Sequence, residues 1–256
     1  MNPIILGDNR FLDGTPTATD TATGYSVLYI RDYKTFTSWK GASAGTKYLT
    51  VDCGSAKSAD CIAFARHNFG SGGATISVES SDTGAWGGEE TQRIDPFTLN
   101  DDKAALRAFA SASARYWRVK IVSATIAPQV AVLLVGVRIV FPYPPDAPFS
   151  SGKEVIEVDA NRSRTGQFLG ADVRFKPYSI RPAWSNLSRT WVESYFLPFW
   201  TNHASNLTPF FWAWDLANYP SDVRYVRVPE NYGMDPPASI LSVYDSISLE
   251  MEGTKE

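Results

Sequence analysis

Residues 141–148 read Phe141-Pro142-Tyr143-Pro144-Pro145-Asp146-Ala147-Pro148. Four prolines in eight positions delete backbone donors and fix φ, so neither a helix nor an inner strand can run through them. Each residue ahead of a proline is pushed toward extended geometry, which makes the stretch a semi-rigid spacer. It follows the most apolar run of the chain, 130–140, and the polar restart Ser150-Ser151-Gly152-Lys153 lies beyond it. The sequence therefore divides into a domain at 1–141, a linker at 142–149 and a second domain at 150–256.

Both parts read as mainly β. Trp, Tyr and Phe number 8, 12 and 14 against 3 Met, and strands favour such aromatic residues. In 74–80, Ile76 and Val78 alternate with Thr75, Ser77 and Glu79. In 115–121, Trp117, Val119 and Ile121 alternate with Tyr116, Arg118 and Lys120. Both are strands with one inward face. Further strands are expected at 25–33, 48–54, 61–66 and 130–140, the last buried on both faces. A turn is expected at 54–60, a helical turn at 103–109 and loops around Trp39 and Trp86. Strands at this spacing indicate a β-sandwich. The second part offers strands at 154–159, 173–176, 223–228 and 247–252. One amphipathic helix lies between them at 187–205, with Ser188 as its N-cap.

The net charge of -3 provides no basic field for nucleic acid or anionic lipid. The uncharged stretch 121–137 is interrupted at Pro128 and is too short to span a membrane. The N-terminus lacks the basic and apolar regions of a signal peptide, so synthesis and folding in the cytoplasm are expected. Cys53 and Cys61 are then expected as buried thiols, with a hairpin disulfide as the alternative.

Catalytic chemistry is not visible. His67 and His203 have no zinc-spaced partners, and no serine sits in a nucleophile elbow. Glu89-Glu90 and Asp101-Asp102 are adjacent pairs whose members point apart on a strand. The glycines of 70–73 and 84–88 precede no Lys-Ser/Thr and form no phosphate loop. His67 is expected to support the loop after its strand, and His203 to end the helix. No catalytic residue, metal ligand or cofactor is assigned. Structural calcium is a minor option at Asp8, Asp13, Asp20 and Asp32, whose spacing is not that of an EF-hand.

Aromatic residues carry the binding expectations. Trp117 belongs to the core. Trp39 and Trp86 lie in loops, where an exposed indole can stack on a pyranose while Arg66, Asn68 and Asp82 contact its hydroxyls. The competing reading makes both indoles caps on the sandwich ends, the outcome expected for Trp86 between its glycines. Phe199, Trp200, Phe211, Trp212 and Trp214 are candidates for the core or for a subunit interface, with Trp212 and Trp214 on one strand face.

Three segments resemble a discoidin-like, galactose-binding-like module. They are Leu49-Thr50-Val51-Asp52-Cys53-Gly54, the strand from Ile62 to His67-Asn68, and Ala114-Arg115-Tyr116-Trp117-Arg118-Val119. The likeness covers about residues 25–140 and implies a jelly-roll-like sandwich. The second part resembles minor and distal tail proteins of bacteriophage tail tips, through Phe199-Trp200-Thr201-Asn202-His203 and Pro209-Phe210-Phe211-Trp212-Ala213-Trp214-Asp215. That resemblance implies a non-enzymatic virion tail component made in the host cytoplasm. Its second domain would form a homo-oligomeric ring and meet tail tube and hub proteins. Its first domain would project as decoration or hold a host surface glycan. The alternative is a free-standing lectin-like protein.

Overall fold

A computed structural model describes residues 2–254 except 155, 176, 231, 234–238 and 241–242. The predicted strands at 154–159 and 173–176 each include one residue, Val155 and Lys176, outside the described set. The chain forms two compact units, residues 1–140 with 211–224 and residues 141–210 with 225–256. Residues 211–224 thus belong with the first unit, an excursion that contiguous domains at 1–141 and 150–256 do not contain.

The first unit is an antiparallel β-sandwich. Its strands are β1 (Ile4–Leu6), β2 (Thr17–Ala18), β3 (Trp39–Lys40), β4 (Gly45–His67), β5 (Thr75–Ser81), β6 (Thr91–Thr98), β7 (Ala105–Ser123), β8 (Gln129–Gly136) and β9 (Ile139–Val140). The order β3-β8-β4-β7-β5-β6, with β2 also on β4, is set by two long strands. β4 has 23 residues and β7 has 19. The first half of β4 pairs with the second half of β7 (Leu49 on Val119, Val51 on Trp117), and the pairing resumes further along (Cys61 on Ala108, Phe64 on Ala105). Register shifts after Asp52 and Ala59 separate the two halves. Leu49, Val51, Ile62, Phe64, Ile76, Val78, Trp117, Val119, Leu133 and Val135 from both halves fill one core.

Several local expectations change. The 54–60 turn is an irregular stretch within β4, bent at Gly54, whose φ of +71° suits glycine. Of the expected helical turn at 103–109, residues 105–109 are strand at the start of β7, because Leu106 pairs with Ala63 in the buried sheet. Residues Val27–Arg31 form a 3₁₀ helix capped by Ser26, whose hydroxyl accepts from the Leu28 N–H at 3.2 Å. The 130–140 run divides into β8, buried on both faces, and β9, which pairs with β1 in a different sheet. β1 also pairs with residues 211–213, Ile5 opposite Trp212.

In the second unit, strand Ala183–Ser188 pairs with Val243–Ser248. Strand Pro177–Ile180 pairs with Met251–Thr254. Ile247, Leu249 and Met251 are buried as their alternation requires, although the strand breaks at 249–250. Helical turns Arg189–Trp191 and Leu197–Asn202 flank a π-helical turn at Val192–Phe196. Ser188 makes no side-chain capping bond. The proline-rich stretch lies against strand 183–188. Phe141 stacks on Trp184 at 4.0 Å, the Tyr143 carbonyl accepts from the Trp184 indole at 3.2 Å, and Asp146 N–H donates to the Ala183 carbonyl at 2.8 Å. Among the described residues, no helix is long and apolar enough to cross a membrane.

Trp39 is fully buried in β3 rather than exposed in a loop, and its indole donates to the Asp20 carbonyl at 3.1 Å and the Thr21 hydroxyl at 3.2 Å. Trp39→Ala is expected to destabilise the protein by about 3–5 kcal/mol. Phe36→Ala, at an exposed position, is expected to change stability by no more than about 0.5 kcal/mol. Urea denaturation of the two variants checks the difference.

Candidate functional site

The outward face of β4, β7 and β5 carries polar residues by alternation, yet its centre is dry. Thr50, Arg118 and Glu79 stand in register across the three strands. Arg118 is 7% exposed and Glu79 5%. Arg118 Nε donates to the Glu79 carboxylate, and its Nη2 donates to Glu90 at 3.2 Å. Tyr48 and Trp86 enclose the guanidinium, with ring centres 4.4 and 4.0 Å from its carbon. Each such contact adds about 0.5–2 kcal/mol.

The cover is the 82–90 loop. Ser81 Oγ donates to Glu89 and accepts the Gly84 and Thr83 N–H groups at 2.6 and 3.1 Å. Gly84 lies so close to Tyr116 that a Cβ would stand 2.9 Å from its ring, and its φ of +76° also requires glycine. Gly88 N–H donates to Glu90 at 2.7 Å. Trp86 itself has φ +48°, an uncommon conformation for a bulky residue. Its side chain is half-buried. Hydrogen bonds from the Ser81 hydroxyl hold Glu89 below the ordinary carboxylate range. Bonds from its own N–H and that of Gly88, with Arg118 behind them, do the same for Glu90. Both loop carboxylates are thus anionic at neutral pH.

The five residues expected at a sugar site do not converge. Trp39 is core, which removes it as a platform. Arg66 is exposed, with φ +52°. Asn68 is committed to its loop, donating to the Ala127 carbonyl at 2.9 Å and accepting from Gln129 N–H at 2.8 Å. Arg66 and Asn68 precede β5, whereas Asp82 and Trp86 follow it. The seven residues of β5 separate the two groups by roughly 20 Å. Asp82 is exposed beside Trp86. Sequence reading missed Arg118 and Glu79. Their only signal was a facing pair of opposite charges on an outward strand face.

Of the aromatic residues considered for a subunit interface, Phe211 and Trp212 are fully buried and Phe199 nearly so. A side chain enclosed by its own chain cannot meet another. All of 210–213 is buried, so Trp212 and Trp214 do not define one exposed face. Trp214 is half-buried, donates to Asp222 at 2.7 Å and stacks on Tyr219 at 4.8 Å. Trp200 packs edge-on against Tyr232 at 5.8 Å.

The histidines serve the fold. His67 Nε2 meets the Lys103 carbonyl at 2.8 Å, so that nitrogen carries the proton, and Nδ1 accepts from Phe69 N–H at 3.2 Å. His203, between the helical turn Leu197–Asn202 and a 3₁₀ turn at Ala204–Asn206, meets the Pro209 carbonyl through Nε2 at 2.9 Å. Cys53 and Cys61 are buried free thiols, both pushed up by burial, Cys53 to about 11. Asp8 and Asp13 pair with Arg10, and Asp20 with Lys47. Asp32 accepts from Lys34 N–H and the Thr37 hydroxyl. Among the described residues no three His, Cys, Asp or Glu side chains group as a metal site.

No protein-family model matches the chain, and no curated protein does. Solved structures similar to it include chitosan-binding module 1 from the chitosanase/glucanase of Paenibacillus sp. IK-5, at 17% identity and TM-score 0.43 over 50% of this chain and 97% of that one. The family 32 carbohydrate-binding module of C. perfringens NanJ, solved with galactose, is 16% identical at TM-score 0.43 over 54% and 99%. A pectin-binding carbohydrate-binding module is 15% identical at TM-score 0.40 over 47% and 88%.

Two outcomes follow from this geometry. Glu79→Ala leaves the buried Arg118 guanidinium only its longer contact to Glu90 and is expected to cost about 3 kcal/mol in denaturant titrations. Burial lowers the His67 pKa from 6.5, against the opposing pull of the Lys103 carbonyl, Asp102 and Asp101. The neutral ring is favoured in the fold, so its contribution is complete above about pH 6.5 and falls as the solution is acidified. His67→Gln is expected to flatten the stability slope below about pH 6.5 relative to wild type, as measured by urea midpoints over that acid range.

Proposed function

We propose that the first unit is a non-catalytic, carbohydrate-binding β-sandwich whose contact surface is the 82–90 loop. The observation that carries this reading is Trp86. Its indole rests on the Arg118 guanidinium at 4.0 Å and still keeps solvent-exposed surface. A fixed indole of this kind suits the apolar C–H face of a pyranose, and the neighbouring carboxylates of Asp82 and Glu90 suit its hydroxyls. Both histidines are engaged by backbone carbonyls, which supports a binding rather than a hydrolytic role.

The second reading is a phage tail-tip component that assembles with its own copies and with tail tube and hub proteins. It draws on the aromatic pattern of 191–214, in which Trp200 and Trp214 retain exposed surface. The burial of Phe211 and Trp212 takes away part of its expected interface, and the carbohydrate reading is preferred.

Chitosan, pectin and galactose-terminated glycans are the first sugars to test, by affinity electrophoresis and glycan array. Wild type is expected to bind at least one of them. Trp86→Ala is expected to weaken that binding tenfold or more while costing about 1–2 kcal/mol, the scale of one partly desolvated cation–π contact. A wild type that binds no glycan, or a Trp86→Ala variant that binds as well as wild type, overturns the proposal.

A further inference from the structure

The charges around the 82–90 loop are not all answered from within the chain. Glu89 receives the hydroxyls of Ser81 and Thr83 and the N–H groups of Ala85 and Trp86. Glu90 receives Gly88 N–H at 2.7 Å and Arg118 at 3.2 Å. Both carboxylates are taken up by the loop's own fold. Asp82 stands in the same loop ahead of Trp86. It is exposed and has neither hydrogen bond nor ion pair among the described residues.

The cations beneath and beside the loop are committed. Arg118 is closed in by Glu79 and Glu90, Lys120 Nζ stands 3.9 Å from Glu79, and Arg115 pairs with Asp52 at 2.8 Å. Arg93, just past the loop, donates to the Ser80 hydroxyl at 2.7 Å, and alternation puts Ser80 on the face of β5 opposite to Glu79. An anionic sugar on Trp86 would therefore meet an open carboxylate and none of these cations unpaired. A cationic sugar would meet the charge it needs. The indole itself does not hold that charge well. Arg118 already lies 4.0 Å under the ring, so a cation stacked above would share the same π density and be repelled by the guanidinium.

We propose that the Trp86 site selects amino sugars whose amine is free and protonated, with the pyranose C–H face on the indole and the ammonium on Asp82. This rests on the carbohydrate reading above and narrows it to a cationic class. Stacking on the indole is common to neutral, acidic and basic pyranoses, so the charge at the rim decides among them. N-acetylation turns the ammonium into a neutral amide and deprives Asp82 of its partner while the ring is kept. A uronic acid brings a second carboxylate to Asp82 and is repelled. One solvent-exposed ion pair contributes modestly, which sets the preference for the free amine over the N-acetylated sugar at about three- to fivefold.

The test is calorimetric titration of the full-length chain with short oligomers of glucosamine, N-acetylglucosamine and galacturonic acid, at a pH where the amine is protonated. Wild type is expected to bind the glucosamine oligomer at least about threefold more tightly than the N-acetylated one, and the galacturonic acid oligomer most weakly. The preference is expected to shrink at about 1 M salt, where charges are screened within about 3 Å. Asp82→Asn, at an exposed position without partners, leaves the fold intact and is expected to abolish the preference. Binding with no threefold preference for the free amine, or a preference that Asp82→Asn retains, overturns this inference and leaves the carbohydrate reading standing. A wild type that binds neither these oligomers nor any other glycan overturns that reading, and the inference falls with it.

Discussion

The corner between the two layers of the sandwich is tied from inside the core. Trp117, fully buried on β7, donates its indole N–H to the Lys57 carbonyl at 3.2 Å, in the irregular stretch where β4 and β7 lose register. A buried indole N–H needs an acceptor, and an interrupted strand pair leaves carbonyls that need donors. One bond answers both. On the outside of the same corner, Arg115 holds Asp52 with two parallel bonds of 2.8 Å, which keep that carboxyl far below its usual range. Because β4 and β7 continue through the corner, the two layers share one core.

That continuity explains which parts of the fold were legible. Alternation at 74–80 and 115–121 identified strands and their inward faces, because each strand there turns one apolar face to the core. Gly54-Ser55-Ala56 reads as a turn, since small residues and glycine accompany both turns and bulged corners. Residues 103–109 carry Ala and Leu, good helix formers, but Ala105 and Leu106 are placed opposite Phe64 and Ala63 by strand pairing that begins elsewhere. Local propensity yields to such long-range pairing. The proline segment was legible as a stretch unable to join a sheet. Its attachment to Trp184 and Ala183 was not, because those partners lie about forty residues on.

The candidate site was legible only in part for a related reason. Glycines on both sides of Trp86 marked a loop, and the loop exists. Alternation assigned Glu79 and Arg118 to an outward face, which is correct as to direction. It cannot tell whether a loop folds back over that face. Trp39 shows the converse: its surroundings look like a loop, but its ring is enclosed because Asp20 and Thr21 arrive from a distant part of the chain to accept its N–H.

The position of Trp86 follows from groups beneath it. A loop-borne indole without support would sample many orientations and lose entropy on binding. Here Ser81 gathers the turn, Gly84 lets it settle on Tyr116, and the Glu79–Arg118 pair supplies a flat cation at the height where the indole lands. Removing two charges from water carries a large cost, and an apolar pair of equal volume would often serve stability better. The ion pair instead fixes geometry. A guanidinium held by two carboxylates and two rings has little freedom, and the aromatic surface above it is correspondingly pre-organised, which is the property a weak stacking contact most depends on.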